Sequence, residues 1–423
     1  MKYRKLLLAT VVFCSCNFAL ASGFSLYEPS GISTAMGGAL LGKAMDASAN
    51  FVNPATLTDL TNIIVTVGFV TEHPRGRLTG TCNGTPFPGR EIKMDPGFFT
   101  LPHLQLAAPL PYDFAFGIGL EPEFGLGTEF GKSSPLAWNA RETTVQSFTF
   151  NPNLAYKITD KWSIGIGVRW MYFDFEQYKN NMQIANIGTL NYHLKGDNHC
   201  HSVGWQIGTK YDITENFAVG IVYKSPIDVT VRGNTDADST SPTLNGMGVP
   251  QSRTGPADAD LTLPQSVTAG FNWDITDDWH LGMSLSWTQW SEFDKLVFNV
   301  PPQPMPIGLD WRDTWRTSCG VAWDFAEDWT WMVSYVYDMD CTSGHQESAM
   351  LPPASRHITS TGITWRCWGG LEFTLCYSCI FMNGHNMHCK DMRGNIGYPP
   401  DIYDLKVSRG FCHSGGFSIT YRF

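Results

Sequence analysis

Apolar residues alternate with small or polar ones along several stretches of this chain. Between positions 163 and 172 the apolar side chains are Ile164, Ile166, Val168, Trp170 and Tyr172, and most residues between them are small or polar. Because successive side chains of a β-strand point to opposite faces, this period of two predicts strands with one apolar face. The same alternation recurs in the stretches 281–288, 329–335 and 417–423.

Extended along the chain, the pattern predicts fourteen strands. Their approximate bounds are 63–75, 97–108, 114–122, 142–158, 162–178, 203–213, 217–230, 263–274, 279–300, 312–325, 329–340, 356–367, 371–382 and 411–423. Tight turns fall near 109–113, 159–161, 214–216, 275–278, 326–328 and 368–370; the long loops fall near 76–96, 123–141, 179–202, 231–262, 301–311, 341–355 and 383–410. Short turns at one end and long loops at the other are typical of outer-membrane β-barrels, whose short turns face the periplasm. The sequence therefore predicts an all-β fold, a 14-stranded antiparallel transmembrane β-barrel.

Four of the tight turns share a short acidic step followed by an aromatic residue. The segments are ITDKW, ITENF, ITDDW and FAEDW. Acidic side chains favour water, whereas an amphipathic aromatic ring favours the boundary between headgroups and acyl chains. We therefore expect each step to be a periplasmic turn, with its aromatic residue beginning the next strand at the membrane boundary.

The N-terminus has the composition of a secretory signal peptide. Basic residues precede an apolar run at 6–13, and the small-x-small sequence at 19–21 fits signal-peptidase cleavage. We expect residues 1–21 to be removed and the mature chain to reside in the bacterial outer membrane. No later apolar run is long enough for an ordinary transmembrane helix. The formal charge of −10, with no basic cluster along the chain, argues against a nucleic-acid partner.

Residues 22–62 do not follow the strand pattern. They are rich in Gly, Ala, Ser and Thr and lack alternation, which predicts short helices or turns that pack closely. A barrel of fourteen strands encloses space that its own side chains fill poorly. We therefore expect a small N-terminal hatch at 22–62 inside the lumen of a barrel formed by 63–423.

The N-terminal segment and several later blocks resemble a known family. The stretch GGALLGKAMDASANFVNPATL resembles the N-terminal hatch of the FadL/TodX family, bacterial outer-membrane channels for long-chain fatty acids and other hydrophobic molecules. Further similarity lies in FGLGTEF, WTQWSEFD and WRDTWR, and it covers nearly the whole mature chain. The resemblance implies passive uptake without enzymatic activity. The substrate would be captured at the outer loops near 179–202 and 231–262 and released sideways into the bilayer through a hatch-gated opening.

The resemblance assigns the gate to two elements. The hatch element is Asn53-Pro54-Ala55, for which the alternative is an ordinary tight turn. The lateral opening would arise from a kink in the third strand at Gly117, Gly119 and Pro122. Proline removes a hydrogen-bond donor from the ladder, and glycine permits a bulge. The alternative is a strand that simply ends at Pro122.

The substrate contacts are expected at two further sets of residues. A buried fatty-acid carboxylate requires a cation; the candidates, in order, are Arg312, Arg316, Arg141 and Arg169. The alternative for any one arginine is an ordinary ion pair in the lumen. The apolar route is assigned to Phe124, Leu126, Phe130 and Trp138, whose alternative role is to pack the loop itself.

Cysteine usage is unusual for such a barrel. Nine of the eleven cysteines follow the leader, and thiols in an oxidising envelope tend to pair, so we expect at least one loop-tying disulfide, with a disulfide-linked envelope partner as an alternative. Cys376 and Cys379 are three apart on a predicted strand and therefore face opposite sides. We expect no metal and no other cofactor, and the chain has no nucleophile motif that would indicate an enzyme.

Three hypotheses follow from the sequence. The first is a channel for long-chain fatty acids, and the second is the same channel carrying other hydrophobic molecules such as aromatic hydrocarbons. The third is a mainly structural, disulfide-linked envelope protein. In each case outer-membrane lipid and lipopolysaccharide are the surrounding partners.

Overall fold

The computed structural model describes most of the chain after the predicted leader. The described residues are 23–423 apart from 88, 90, 96, 138–140, 185–187, 197–199, 240–251, 294, 300–304, 344–354, 383, 385 and 391–401. The predicted signal peptide and the route residue Trp138 lie outside the described residues.

Fourteen long antiparallel strands form one closed sheet. In chain order they are β1 (Ile64–Cys82), β2 (Phe99–Pro109), β3 (Phe114–Glu121), β4 (Glu142–Thr159), β5 (Trp162–Ile184), β6 (His201–Thr214), β7 (Phe217–Lys224), β8 (Ser266–Asp274), β9 (Trp279–Thr288), β10 (Thr314–Ala326), β11 (Trp329–Asp338), β12 (Arg356–Arg366), β13 (Leu371–Met382) and β14 (Ile402–Arg422). Each pairs with the next, and β14 returns to β1 with Arg422 opposite Ile64. The predicted 14-stranded barrel is confirmed.

The long loops extend the sheet rather than forming irregular segments. Nine further strands lie in the described parts of these loop regions: Thr85–Pro86, Ile92–Lys93, Gly125–Glu129, Gly188–Gly196, Ile227–Ser239, Ser252–Leu263, Lys295–Asn299, Met305–Gly308 and Asn386–Lys390. The prediction of loops at 179–202 and 231–262 is therefore corrected, because Gly188–Gly196 pairs both with β5 and with Ile227–Ser239. In Ile227–Ser239 and Ser252–Leu263 the described inward residues are mostly apolar, whereas Asp and Thr are frequent among the outward residues, which made the sequence look like loop.

Two predicted strands end earlier than expected. The strand predicted at 217–230 stops at Lys224, and Pro226 separates it from the next strand because proline cannot donate to the ladder. The strand predicted at 279–300 stops at Thr288 and is followed by a 3₁₀ helix, Trp290–Glu292. There the chain turns inward because Trp290 is fully buried in an aromatic cluster.

The segment before β1 lies within the closed barrel. It contains α1 (Gly31–Ala35), α2 (Ala49–Val52) and a 3₁₀ helix at Pro54–Asp59. Its hydrogen bonds to the wall run from Gly31 N to Ser418 Oγ (2.8 Å), from Gly42 N to Asn272 Oδ1 (2.8 Å) and from Asn53 Nδ2 to Thr209 O (3.2 Å). These partners belong to β14, β8 and β6, on different sides of the sheet, so the segment fills the lumen. Within the described ranges, no helix is long and apolar enough to cross a membrane.

Aromatic residues line the wall next to the short turns. The rings of Trp279 and Trp323 stack with centroids 5.2 Å apart, and those of Trp329 and Trp365 stack at 5.7 Å. Trp162 begins β5 with 43% of its side chain exposed outside the barrel. The aromatic residue after each of these three acidic steps thus begins a strand beside a short turn, as predicted.

Eight of the cysteines form no disulfide with one another in the described structure. No bond joins any two of Cys82, Cys319, Cys341, Cys367, Cys376, Cys379, Cys389 and Cys412. Strand order explains why Cys82 and Cys389 are not bonded to each other. Both pair with Tyr403, so the strand of Tyr403 lies between them. Two strand spacings of about 4.8 Å separate them, beyond the Cα distance of roughly 7 Å that a disulfide can bridge. This excludes the Cys82–Cys389 pair, and a loop-tying bond elsewhere stays a prediction.

Candidate functional site

The third strand of the barrel is interrupted after Glu121. This residue lies opposite Thr149 of β4, and pairing with β4 resumes at Gly125, opposite Gln146. Three residues, 122–124, therefore face two residues on β4, which is the count of a β-bulge. The interruption lies at the position predicted for the kink.

The bulge leaves a gap in the barrel wall on its other side. β2 pairs with β3 as far as Leu104, opposite Leu120. Beyond that point residues 99–103 pair with β1, while residues 125–129 pair with β4. Among the described residues no backbone pairing joins 99–103 to 125–129. At the level of the bulge, the described part of the wall therefore lacks a continuous ladder.

The N-terminal residues cover the luminal side of this bulge. Ser25 forms an isolated β-bridge with Phe124. Two backbone hydrogen bonds flank that bridge, from Leu26 N to Glu123 O (2.9 Å) and from Gly125 N to Phe24 O (3.0 Å). Residues 24–26 therefore act as a short added strand, which satisfies backbone groups that the bulge would otherwise leave unpaired.

A largely apolar cavity of about 300 Å³ lies at the gap. Its walls include Leu26, Phe99, Leu101, Phe124, Leu126 and Val145. The ring of Phe99 fills part of the gap by packing on Gly127, where an added Cβ would lie 1.9 Å from the ring. This volume and lining are those of a binding site for a hydrophobic small molecule.

A second, smaller cavity of about 80 Å³ lies deeper in the lumen. Leu26 and Phe124 line both cavities, so these two side chains form the partition between them. The second cavity has four charged lining residues, Glu123, Arg169, Lys224 and Arg316, whereas the first has two, Glu72 and Arg356.

Glu123 connects the bulge with the charges of the lumen. Arg169 donates to both of its carboxylate oxygens, from Nη2 to Oε1 (2.6 Å) and from Nε to Oε2 (3.2 Å). Lys224 Nζ lies 3.3 Å from Oε1 and also sits 3.2 Å from the centroid of the Phe51 ring. One carboxylate is therefore shared by two cations. Because both side chains and Glu123 are removed from water, this network fixes the position of the bulge.

Arg316 supplies a further positive charge on the same cavity. Its guanidinium lies 4.1 Å from the centroid of the Tyr27 ring, and Nη2 donates to Gly37 O (3.2 Å). Its Nε is buried without a hydrogen-bond partner among the described residues. The nearby carboxyl group of Glu28 has a raised pKa, because burial disfavours its charged form more than Arg316 and Arg356 favour it. The Nε of Arg316 is thus a buried donor that faces no acceptor in the described part of the chain.

The Asn53-Pro54-Ala55 element is fixed to the barrel by its asparagine. Asn53 Oδ1 accepts from Ala55 N (3.1 Å), and Nδ2 donates to Leu41 O (2.6 Å) and to the wall at Thr209 O (3.2 Å). Pro54 begins the 3₁₀ helix, where its fixed φ is favourable. The element is therefore both a helix start and a contact between segment and wall.

This architecture coincides with a known family. A model of that family, described as outer membrane protein transport protein (OMPP1/FadL/TodX), matches residues 12–408. The chain belongs to this family. It is accordingly an outer-membrane β-barrel for the uptake of hydrophobic molecules.

Curated and solved members show how far the similarity extends. The chain is 26% identical to a long-chain fatty acid transport protein of Escherichia coli, with 94% of each chain covered. It is 25% identical to outer membrane protein P1 of Haemophilus influenzae, covering 93% of this chain and 92% of that one. A Pseudomonas aeruginosa FadL homologue superposes with a TM-score of 0.84 at 20% identity, covering 95% and 100%. The toluene transporter TodX of Pseudomonas putida has a TM-score of 0.72 at 18% identity, with the same coverage.

The four predicted arginines of this FadL/TodX family member do not share one site. Arg169 and Arg316 line the charged cavity of the lumen. Arg312 is exposed at the outer end of β10, and its backbone N donates to Cys341 O (2.6 Å). Arg141 lies before β4, with its guanidinium 5.2 Å from the Tyr178 ring centroid. Neither of these two lines the two cavities described above.

The predicted kink and route residues are likewise divided. Pro122 is the first residue of the bulge, whereas Gly117 and Gly119 lie in the regular ladder of β3 opposite Asn153 and Asn151. Phe124 and Leu126 line the cavity at the gap. Phe130 is fully buried in the apolar core beneath the outer strands.

Sequence reasoning missed Glu123, Lys224 and the aromatic cluster that holds the N-terminal strand. In that cluster Phe24 contacts Phe124, Trp290, Phe293 and Trp311, with centroids 5.0 to 6.0 Å apart. Trp290 and Phe293 belong to the WTQWSEFD block, and Trp311 is the first residue of the WRDTWR block. The acidic pair in LEPEFG, an unusual feature for a membrane strand, was the available signal for Glu123.

Proposed function

We propose that this protein is a passive channel for long-chain fatty acids that releases its substrate through the gap beside the third strand. The observation that carries the proposal is the bulge at residues 122–124. It interrupts the ladder next to a largely apolar cavity, and Glu123 within it is held by cations of the lumen. The name of the Escherichia coli relative, a long-chain fatty acid transport protein, supports this substrate class.

The carboxylate of the substrate would bind in the charged cavity. Arg316 is the first choice, because its buried Nε has no partner among the described residues. Arg169 is already held by Glu123, so it would act mainly by keeping the cavity positive. A carboxylate at Arg316 would be held by a charge-assisted hydrogen bond, which is stronger than a neutral one.

The acyl chain would supply the driving force for capture. Burying each methylene contributes about 0.8 kcal/mol, so a chain of roughly fifteen contributes on the order of 10 kcal/mol. Release sideways into the bilayer keeps the chain out of water, and no energy source is required. The outer strands in the regions 179–202 and 231–262, which the sequence predicted as loops, would provide the surface for initial capture.

The N-terminal segment would act as the gate. Leu26 and Phe124 separate the two cavities, so a substrate must displace residues 24–26 to reach the gap. Asn53-Pro54-Ala55 would serve as the anchor about which the hatch shifts, because Asn53 bonds both the segment and β6.

A second candidate is uptake of aromatic hydrocarbons. The cavity at the gap is lined by five phenylalanines: Phe24, Phe98, Phe99, Phe124 and Phe148. Aromatic rings favour aromatic ligands through edge and offset contacts, and the similar TodX structure is that of a toluene transporter. The two candidates differ in one requirement, because only a fatty acid needs the cation at Arg316.

Uptake by cells that lack their own outer-membrane fatty acid transporter tests this proposal. We expect Arg316→Gln to lower uptake of a labelled long-chain fatty acid at least tenfold, because a hydrogen bond to a charged group contributes about 1.5–3 kcal/mol. Toluene uptake should not change. Arg312→Gln is the matched control and should retain fatty acid uptake.

Each alternative has its own result. Uptake of toluene but not of fatty acid by the unmodified protein would favour the aromatic-hydrocarbon channel. Uptake of neither, with surface expression confirmed by antibody, would favour the structural envelope protein. Equal loss in the Arg316 and Arg312 variants would reject the assignment of the carboxylate to Arg316.

A further inference from the structure

The folded barrel assembles a basic patch that is not visible along the sequence. We define the basic patch as Arg75, Arg77, Lys93 and Lys406. Arg75 and Arg77 lie on the outer face of β1, Lys93 lies directly opposite Arg77, and Lys406 of β14 lies opposite Thr79. All four side chains are exposed. This positive surface contrasts with the formal charge of −10 for the whole chain.

Positive charges in the basic patch lie close together and have few acidic partners. Residues directly opposite on neighbouring strands have Cβ atoms roughly 5 Å apart, and like charges there are destabilising. The carboxylate of Glu91 lies 3.0 Å from Arg77, whereas Asp404 pairs with His388 at 2.6 Å. Such an arrangement favours an anion shared by several cations.

The orientation of Arg75 is fixed by neighbouring groups. Its Nε donates to His73 Nε2 (3.0 Å), and the His73 ring stacks on Phe98 with centroids 4.2 Å apart. His73 Nδ1 in turn bonds Gly97 O (2.7 Å). The guanidinium is thus held in place through one nitrogen, which leaves its planar terminal N–H groups directed for bidentate binding of a phosphate.

The patch lies at the height of the outer headgroups. At about 3.3 Å of rise per residue and a strand tilt of about 40°, Arg75 lies roughly 28 Å above the start of β1 at Ile64. The apolar band of such a barrel is about 25 Å tall. On the same face of β1, Val67 and Phe69 are exposed apolar residues, and the face becomes polar from Thr71 onward. The cations therefore begin where the acyl chains end.

The geometry points to the basic patch as a binding site for a phosphate group of the outer leaflet's phosphorylated glycolipid, the lipopolysaccharide. The site would hold the lipid against the wall formed by β1 and β14. It is independent of the substrate proposed above, because the patch faces the membrane and the two cavities face the lumen and the gap.

Native mass spectrometry of the full mature chain in nanodiscs tests this inference. The discs contain phosphatidylcholine with either a phosphorylated lipid A or its dephosphorylated form. We expect the unmodified protein to retain the phosphorylated form selectively. The Arg75→Ala/Lys93→Ala variant should retain at least fivefold less, because each Lys or Arg near an anionic surface contributes about fivefold in affinity. Lys157→Ala/Lys161→Ala, which removes two charges at the periplasmic end, should match the unmodified protein.

Three results would overturn the inference. The first is equal retention of the two lipid forms, and the second is equal retention of the phosphorylated form by the two double variants. The third is retention of the phosphorylated form that 10 mM inorganic phosphate does not reduce. Folding of every variant is verified by the heat-dependent mobility of the barrel on gels. If Arg75→Ala/Lys93→Ala does not fold, salt supplies the test on the unmodified protein. Raising NaCl from 50 to 500 mM should then release the lipid, and retention at 500 mM would reject the site.

Discussion

Single glycines in the barrel wall determine how closely the N-terminal segment packs. An added Cβ at Gly220 would lie 2.0 Å from Leu41 O, and at Gly208 it would lie 2.1 Å from Asn53 Oδ1. The contact at Gly220 is with backbone, which cannot rotate away as a side chain can. A methyl group at this position must therefore displace the segment itself.

We expect Gly220→Ala to destabilise the folded protein by about 1–3 kcal/mol, the usual cost of overpacking. Urea unfolding in lipid vesicles measures this change. Gly415→Ala is the matched control, because Gly415 is also in a barrel strand but an added Cβ there meets no atom within 4 Å. Equal stability of the two variants would show that the segment does not pack against β7 as described.

At the scale of elements, the bulge rather than proline itself should produce the opening. Three residues face two on β4, so deleting Pro122 leaves two facing two and permits a continuous ladder. We expect this deletion to close the gap and to lower substrate uptake at least tenfold while the barrel still folds. Uptake by the transporter-deficient cells provides the measurement.

Pro122→Ala separates the residue count from the residue type. It keeps three residues opposite two, so we expect the gap and most of the uptake to remain. Loss of uptake in Pro122→Ala but not in the deletion variant would contradict this account. The sequence predicted an interruption here because Pro122 and the preceding glycines can be read directly from it. How many residues face one another across the bulge and β4 depends on the strand register, which the sequence does not show.

The existence of the strands was predictable, but several of their ends were not. Alternation marked all fourteen because each has one face in lipid. It failed after Lys224 and Thr288, where Pro226 ends a ladder and Trp290 turns into the aromatic cluster. Both ends are decided by contacts with distant parts of the chain, which local periodicity does not report.

For the whole molecule, closure of the barrel creates the groupings that linear patterns miss. Arg169 of β5, Glu123 of the bulge and Lys224 of β7 form one network only because the closed sheet brings them around a common lumen. The family resemblance favoured Arg312 over Arg316 although both lie in the WRDTWR block, because only the closed barrel shows that Arg316 lines the cavity. Sequence motifs were sufficient to identify the family, whereas the strand register was needed to show which charged residues meet in the lumen.

Movement of the hatch relative to the barrel can be tested by tethering the two. Thr58 Oγ1 of the 3₁₀ helix lies 2.8 Å from Ser163 Oγ of β5, so cysteines at these positions have their sulfur atoms within bonding reach. We expect oxidised Thr58→Cys/Ser163→Cys to lose most fatty acid uptake and a reductant to restore it. Each single variant should transport in both redox states, which controls for the native cysteines. If the oxidised and reduced double variants transport equally, release does not require the hatch to shift, and only residues 24–26 need to move.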